Sequence, residues 1–447
     1  MPSPVIPPPS SAMSDPIRRA ERVRDAMPKG GLFAEKEWRI SPEPFVLSKA
    51  EVRQLVQLGP LFLRFQKTCD LIYRRSRGGS LPGWIAGDLD RGKSEPLLRT
   101  GLAHATLTEM PRVIRPDLIL TSKGFSATEL DSVPGGIGLT AWLGETYSAL
   151  DPSHAIIGGA GGMFTGFASI FAKGEADLLV SRESADYRPE MEWLAGRLPG
   201  EWRVADAESY DGANRDVYRF FELFDLPNLP ASGALMEAAA AGRVKVTAPF
   251  KPWLEEKMWA ALFWSHPLRE VWKRELRESN WNRLRSIFPQ SWIVNPSEIP
   301  HHAVVPGLEI GSFEELKGFT QRERDLVLKL SGFNAQAWGG RSVTVGQDAS
   351  MIEWSEAVDR AIASYESAPY VLQRFHGGKL VTHPWWNPTT NRIEEMEGRA
   401  RLCPYYFVSA KDASVSLGGV LATICPADKK ILHGMRDAIL VPCRMGE

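Results

Sequence analysis

The segment "RPDLILTSKGFSATELDSVPGGIG", Arg115 to Gly138, constrains the fold more than any other. An apolar, β-branched run ends at a Ser-Lys-Gly turn, a second short run carries Glu129 and Asp131 two apart, and a Pro-Gly-Gly break follows. The pattern predicts two strands that place four charged side chains, Arg115, Asp117, Glu129 and Asp131, near one sheet end. Acids before a Pro-Gly break are ordinary turn residues in many chains. They are also hard oxygen ligands of the kind that hold a divalent metal beside a phosphate.

The rest of the chain bears on that choice. At 447 residues it is too long for one simple core and predicts two or three domains. A hydrophobic share of 43%, a charged share of 24% and a formal charge of -1 describe a soluble globular protein without the basic footprint of a nucleic-acid binder. Cys69, Cys403, Cys425 and Cys443 form no C-x-x-C pair, which points to a reduced, cytoplasmic setting and away from a zinc ribbon. The opening "MPSPVIPPPSSAMSDP" reads as a disordered, Pro-rich lead-in over residues 1–16.

Residues 17–110 follow as a helical region in which "SKAEVRQLVQLGPLFLRFQKTCDLIYRRS" repeats apolar residues at three- and four-residue intervals. Segment 111–150 holds the two acid-bearing strands and a helix, "LTAWLGETYSAL". Over 151–250 strand-like "HAIIGG", "ADLLVS", "WRVAD" and "RVKVTAP" alternate with helical "PEMEWLAGRL" and "ASGALMEAAAA", which predicts a small open-sheet α/β domain. Its "HAIIGGAGGMFTGFASIFA" has the length of a membrane span, but five glycines favour a buried strand, a glycine turn and a helix. "GGAGGMFTG" does not give a clean G-x-G-x-x-G.

From 251 to 447 a Trp-crowded helical stretch, "WLEEKMWAALFWSHPLREVWKREL", precedes the strand signals "LVLKLS", "SVTVG", "YVLQRF" and "ARLCPYYFV". Lys329 stands at a strand end before Gly332, Gly339 and Gly340, a combination suited to phosphate because glycines let backbone N–H groups approach its oxygens. "PYVLQRFHGG", with Gln373, offers an apolar strand-to-loop hinge for an adenine ring. Neighbouring His301 and His302 would point to opposite faces of an extended chain, and His433 lies in a lysine-bearing turn. No G-x-S-x-G or H-E-x-x-H occurs.

Taken in order, R-x-D, E-x-D before Pro-Gly-Gly, "DVYRFFELFDLPN", "LEEKMWAALF", the lysine strand and "YVLQRF" resemble the circularly permuted ATP-grasp ligases typified by glutathionylspermidine synthase. The resemblance implies an α+β (α/β) ATP-grasp fold with a small open-sheet pre-ATP-grasp domain. It implies ATP and Mg2+, with Asp117, Glu129 and Asp131 on magnesium and Arg115 at a reacting acyl phosphate. Lys257 and Lys329 would hold phosphates, Lys251 being the alternative to Lys257, with Gly339 and Gly340 in a lid and Gln373 near adenine.

Asp131 departs from the asparagine usual at the third metal position, no amidase domain precedes the ligase portion, and the C-terminal segment does not align with the glutathionylspermidine branch, so the polyamine is not inherited. The expected activity is an ATP-dependent ligation of a small-molecule carboxylate to an amine, without nucleic acid or membrane as partner. The alternatives are a nucleotide-binding scaffold that has lost turnover and a membrane-associated protein using residues 154–172.

Overall fold

In the strand Val113–Thr121 even-numbered residues such as Ile114, Leu118 and Leu120 are buried on one face, while Arg115 and Asp117 stand on the other. That division organises the molecule. The structure is a computed structural model describing residues 15–212, 214–297, 303–337, 342–432 and 436–446. The lead-in up to residue 14, Gly339, Gly340, His301, His302 and His433 lie outside the described residues.

In chain order the strands are β1 (Phe45–Leu47), β2 (Val113–Thr121), β3 (Gly124–Asp131), β4 (Ala176–Val180), β5 (Trp202–Asp206), β6 (Val217–Phe220), β7 (Val246–Thr247), β8 (Ser291–Val294), β9 (Leu326–Leu330), β10 (Thr344–Val345), β11 (Tyr370–Arg374), β12 (Leu380–Asn387), β13 (Arg392–Val408), β14 (Val415–Pro426) and β15 (Ile439–Met445). A large sheet of seven strands runs β1-β15-β14-β13-β2-β3, with β12 also on β13. A covering sheet of four antiparallel strands runs β10-β9-β11-β8, and a parallel sheet runs β5-β4-β6-β7. The architecture is a mixed α+β one built on several sheets.

The even face of the large sheet packs on the helix Lys49–Arg77, whose apolar repeat was legible and whose start is fixed by a Ser48/Glu51 capping box. Contact is close: the Tyr406 hydroxyl donates to the Leu55 carbonyl at 2.6 Å, and a Cβ on Gly59 would come within 2.5 Å of the Tyr406 ring. A glycine is required here because any side chain would push helix and sheet apart. Residues 17–110 also supply β1, which adds parallel to β15, so that region is not wholly helical.

On the opposite face the helices Ile137–Leu150 and Gly162–Ala168 cover one end of β13 and β14. Gly419 meets Thr140 and Met163, and Phe407 lies against Gly166. The other end of this face stays open beneath the covering sheet.

Three local expectations are corrected. "HAIIGG" is not a strand: Ile156 makes an isolated bridge to Arg444, and Gly158, at φ +86°, turns the chain away at once. The Trp-crowded stretch is not one helix but Met258–Trp264 and Arg269–Leu276, parted where Pro267 disfavours helical geometry in the residue before it. "RVKVTAP" and "SVTVG" contract to two paired residues each, Val246–Thr247 and Thr344–Val345.

Candidate active site

A cavity of about 910 Å³ lies between the open face of the large sheet and the covering sheet. Its floor follows from strand register. Arg115 pairs with Asp131 and Asp117 with Glu129 across β2 and β3, which places all four side chains on one face. The register of β13 on β2 continues that face with Arg401, Cys403 and Tyr405, which also line the cavity.

Between Asp117 and Leu118 the β2–β3 register slips, and Thr128 becomes an extra residue. Such a bulge redirects backbone groups. Here the Thr128 carbonyl accepts a hydrogen bond of 2.7 Å from Lys329 Nζ, which reaches across from β9 on the covering sheet. Lys329 Nζ also donates to Gln373 Oε1 on β11 at 3.0 Å, and Gln373 Nε2 donates to Ser291 Oγ at 3.0 Å. Burial lowers the pKa of Lys329 to about 8, against the attraction of Glu129.

Lys257, at the start of the helix Met258–Trp264, faces Glu129 with Nζ 2.9 Å from Oε1. Burial disfavours both charges, but their mutual attraction outweighs it, so Lys257 is raised and Glu129 lowered from their ordinary values. Glu129 stays open to the cavity, its side chain 38% exposed. Lys251, the alternative cation, is not at the site: it is buried against Asp70 at 3.0 Å, where the Trp253 indole also donates.

Arg115 is held from three sides. Its Nη2 lies 3.2 Å from Asp117 Oδ1 and 3.1 Å from Asp131 Oδ2, and Nη1 donates to the Gly135 carbonyl at 3.2 Å. Burial opposes its charge, yet Asp117 and Asp131 hold its pKa well above the ordinary arginine value. Asp117 is engaged on both oxygens, with Arg401 Nη1 2.9 Å from Oδ2 and Cys403 Sγ 3.4 Å from Oδ1.

Asp131 does part of what a turn acid does: its Oδ1 accepts the Val133 N–H at 2.8 Å. The Pro-Gly-Gly turn is pinned from below by Glu190, whose carboxylate accepts the N–H groups of Gly136 at 2.7 Å and Leu139 at 2.9 Å. Burial raises Glu190 to about 7 even against those bonds. The two readings of the acid pair thus meet in one structure, a shaped turn whose acids also face a cavity.

Among the described residues no group of three or more His, Cys, Asp or Glu is placed to hold a metal ion by itself. Magnesium that arrives with nucleotide phosphates needs only one or two protein carboxylates. Glu129, open to the cavity, fits that requirement; Asp131 stands beside it on the same face but has Oδ1 on the Val133 N–H and Oδ2 beside Arg115, so it would serve only by sharing the Arg115 oxygen, while Asp117 has both oxygens committed to Arg115, Arg401 and Cys403. Of the expected residues, the structure brings together Arg115, Asp117, Glu129, Asp131, Lys257, Lys329 and Gln373.

Sequence reasoning did not single out Arg401, Cys403 and Tyr405, nor Arg182 and Tyr187 from the loop after β4, all of which line the cavity. For the first three a signal existed in the alternation of "ARLCPYYFV", but only its register against β2 gives it meaning. Among the described residues no helix is long and apolar enough to cross a membrane, and residues 154–172 form a bridge, a turn and a short helix. All four cysteines are buried and unbridged.

Two sheets thus face each other across a cation-walled, acid-floored cavity in a mixed α+β architecture. The sequence matches no protein-family model and no curated protein. The chain is similar in fold to a glutathione synthetase-like effector from Globodera pallida, solved in apo form, with a TM-score of 0.52 and 12% identity over 97% of this chain and 98% of that one. A putative gamma-glutamylcysteine synthetase from Methylobacillus flagellatus KT aligns with a TM-score of 0.36 and 10% identity over 89% of each chain.

Proposed function

We propose that this protein is a circularly permuted ATP-grasp ligase that joins a small-molecule carboxylate to an amine with conversion of ATP to ADP and phosphate. The observation that carries the reading is the meeting of Lys329 and Lys257 with Arg115, Glu129 and Asp131 in one cavity between two sheets. The name of the similar effector, glutathione synthetase-like, supports a ligase of this kind.

In this reading Lys329 and Lys257 neutralise the nucleotide phosphates, and Gln373 fixes the Lys329 ammonium through its side-chain oxygen. Glu129 and Asp131 would hold magnesium, whose positive charge eases transfer of the terminal phosphoryl group. A substrate carboxylate oxygen attacks the γ-phosphorus, the bond to the bridging oxygen breaks, and ADP leaves. The acyl phosphate then meets an amine: the new C–N bond forms, the amine loses a proton, and inorganic phosphate departs.

Arg115, held by Asp117 and Asp131 in a fixed orientation, offers its guanidinium to the developing oxyanion and the leaving phosphate. Arg401 fixes Asp117 from the other side.

The test is trapping. Full-length protein with ATP, magnesium and a panel of carboxylic acids is incubated with hydroxylamine, which turns an acyl phosphate into a hydroxamate. Hydroxamate and ADP formed in equal amounts, and lost in Arg115→Lys while the ATP-dependent thermal shift is kept, support the reading. ATP binding without ADP release for any acid would instead favour a nucleotide-binding scaffold.

A further inference from the structure

The parallel sheet has the order β5-β4-β6-β7, so the chain leaves β4 to one side and returns on the other. Open parallel sheets receive ligands where their connections diverge in this way, at the carboxyl ends of the two central strands. Here that point lies between the ends of β4 and β6. β4 runs out into Ser181, whose buried hydroxyl has no hydrogen-bond partner among the described residues, and then Arg182.

The loop from Ser181 to Tyr187 folds in successive turns, Ser184 N–H to the Ser181 carbonyl at 3.1 Å and Tyr187 N–H to the Ser184 carbonyl at 3.0 Å. It carries Arg182 and Tyr187 into the lining of the cavity that holds Arg115 and Lys329. Tyr187 lies against Gly135, whose carbonyl is bound by Arg115, so the loop reaches the reacting centre.

The other cations around this cavity are occupied. Lys36 pairs with Asp186, Lys430 with Asp348, Arg436 with Glu37 and Arg401 with Asp117, while Arg374 donates to the Gly307 carbonyl. Among the described residues Arg182 is the cavity-lining arginine or lysine whose side chain has no such partner. Its backbone is nevertheless anchored, because its N–H donates to Glu208 Oε1 at 2.7 Å. A guanidinium on a fixed base, exposed to a cavity, is a fork suited to a carboxylate.

We infer that Arg182 binds a second carboxylate of the acid substrate, so that the acid is a dicarboxylate or an amino-acid-like compound whose remote carboxylate sits at Arg182 and whose reacting carboxylate points toward Arg115. This rests on the ligase reading and adds the substrate class to it. Arg182 is a specificity-determining residue: it touches the part of the substrate that does not react.

The experiment compares full-length wild type, Arg182→Gln and Arg182→Lys in the hydroxylamine assay with straight-chain dicarboxylates from malonate through suberate, each beside the monocarboxylate of equal length. ATP-dependent thermal shift is followed in parallel. For at least one length the wild type is expected to prefer the dicarboxylate in kcat/KM by about tenfold to a hundredfold, the range a charge-assisted contact supplies.

Arg182→Gln should abolish that preference by raising KM for the dicarboxylate, with the monocarboxylate KM and the ATP shift unchanged, and Arg182→Lys should restore part of it. A wild type with no dicarboxylate preference at any length, or a preference that survives Arg182→Gln, overturns the inference while leaving the ligase reading in place. Absence of both ATP shift and hydroxamate would overturn the ligase reading itself, and the inference with it.

Discussion

Lys257 and Glu129 meet at 2.9 Å across the edge of the cavity, a cation proposed for phosphate neutralised by an anion proposed for magnesium. Nucleotide and metal arriving together give each a replacement partner, whereas either alone would leave one of the two charges uncompensated. Binding should therefore be strongly mutual. In wild type, ATP with magnesium at about a hundredfold over its dissociation constant should add roughly 2.7 kcal/mol to stability. In Glu129→Gln the difference between ATP with and without magnesium should largely vanish, which differential scanning fluorimetry would show directly; an undiminished magnesium effect would remove Glu129 from the metal site.

If Lys329 holds phosphate as proposed, nucleotide affinity depends on pH. Burial holds its pKa at about 8, and a phosphate beside it favours the protonated form. Affinity for ATP should fall as pH rises through about 8, and binding near that pH should draw a proton from the buffer. Calorimetry in two buffers of different ionisation enthalpy detects the uptake. Lys329→Met should bind ATP more weakly and with a flatter profile over this range.

The same lysine affects stability with a definite sign. Its folded-state pKa lies below that of the unfolded chain, so between about 8 and 10.5 the unfolded state binds more protons and stability contributed by this group rises with pH. Lys329→Met should remove that rise. The check is the urea midpoint of both proteins across this window.

Arg115 carries structure as well as its proposed chemistry. Removing it leaves Asp117 and Asp131 facing each other with less compensation, and breaking a buried pair of this kind costs about 3–5 kcal/mol. Arg115→Ala should be destabilised on that scale. Arg115→Lys keeps the charge but loses the fork, so it should fold, retain the ATP shift and lose roughly a hundredfold or more in turnover. Turnover close to wild type in Arg115→Lys would argue against a role at the transition state.

Gly158 tests the packing of the helix Gly162–Ala168 on the large sheet. Its φ is +86°, and a Cβ there would lie 1.8 Å from the Gly418 carbonyl oxygen. Backbone cannot yield as a side-chain tip can, so Gly158→Ala should lower stability by about 2 kcal/mol or more, whereas Gly161→Ala, with open space around it, should cost much less. Urea melts of the two variants give the comparison.

Much of this arrangement was legible in the residues. The strand signals in "PRVIRPDLILT" and "SATELDS" put Arg115 and Asp117 on one strand and Glu129 and Asp131 on the next, each pair on one face of its own strand; that the two faces coincide is set by the register between the strands. Capping and periodicity read out the helix Lys49–Arg77 in the same way. What escaped notice depends on partners distant in sequence. Nothing near Arg401 says that it will lie beside Asp117, and nothing near Lys251 says that Asp70 will bury it. The Thr128 bulge is equally silent, since a single extra residue between two good strand sequences changes the pairing without changing their composition. Pro267 marks in the sequence itself the break between the helices Met258–Trp264 and Arg269–Leu276.

The floor of the cavity joins β2 and β3 to β13, β14 and β15 in one sheet. During synthesis the acids of β3 leave the ribosome long before the strands that will seat them, and the intervening chain must fold around a partner that does not yet exist. Pairings this remote in sequence form late. A chain cut short anywhere before β13 would therefore expose the edge of β2, with its unpaired backbone, to other strands.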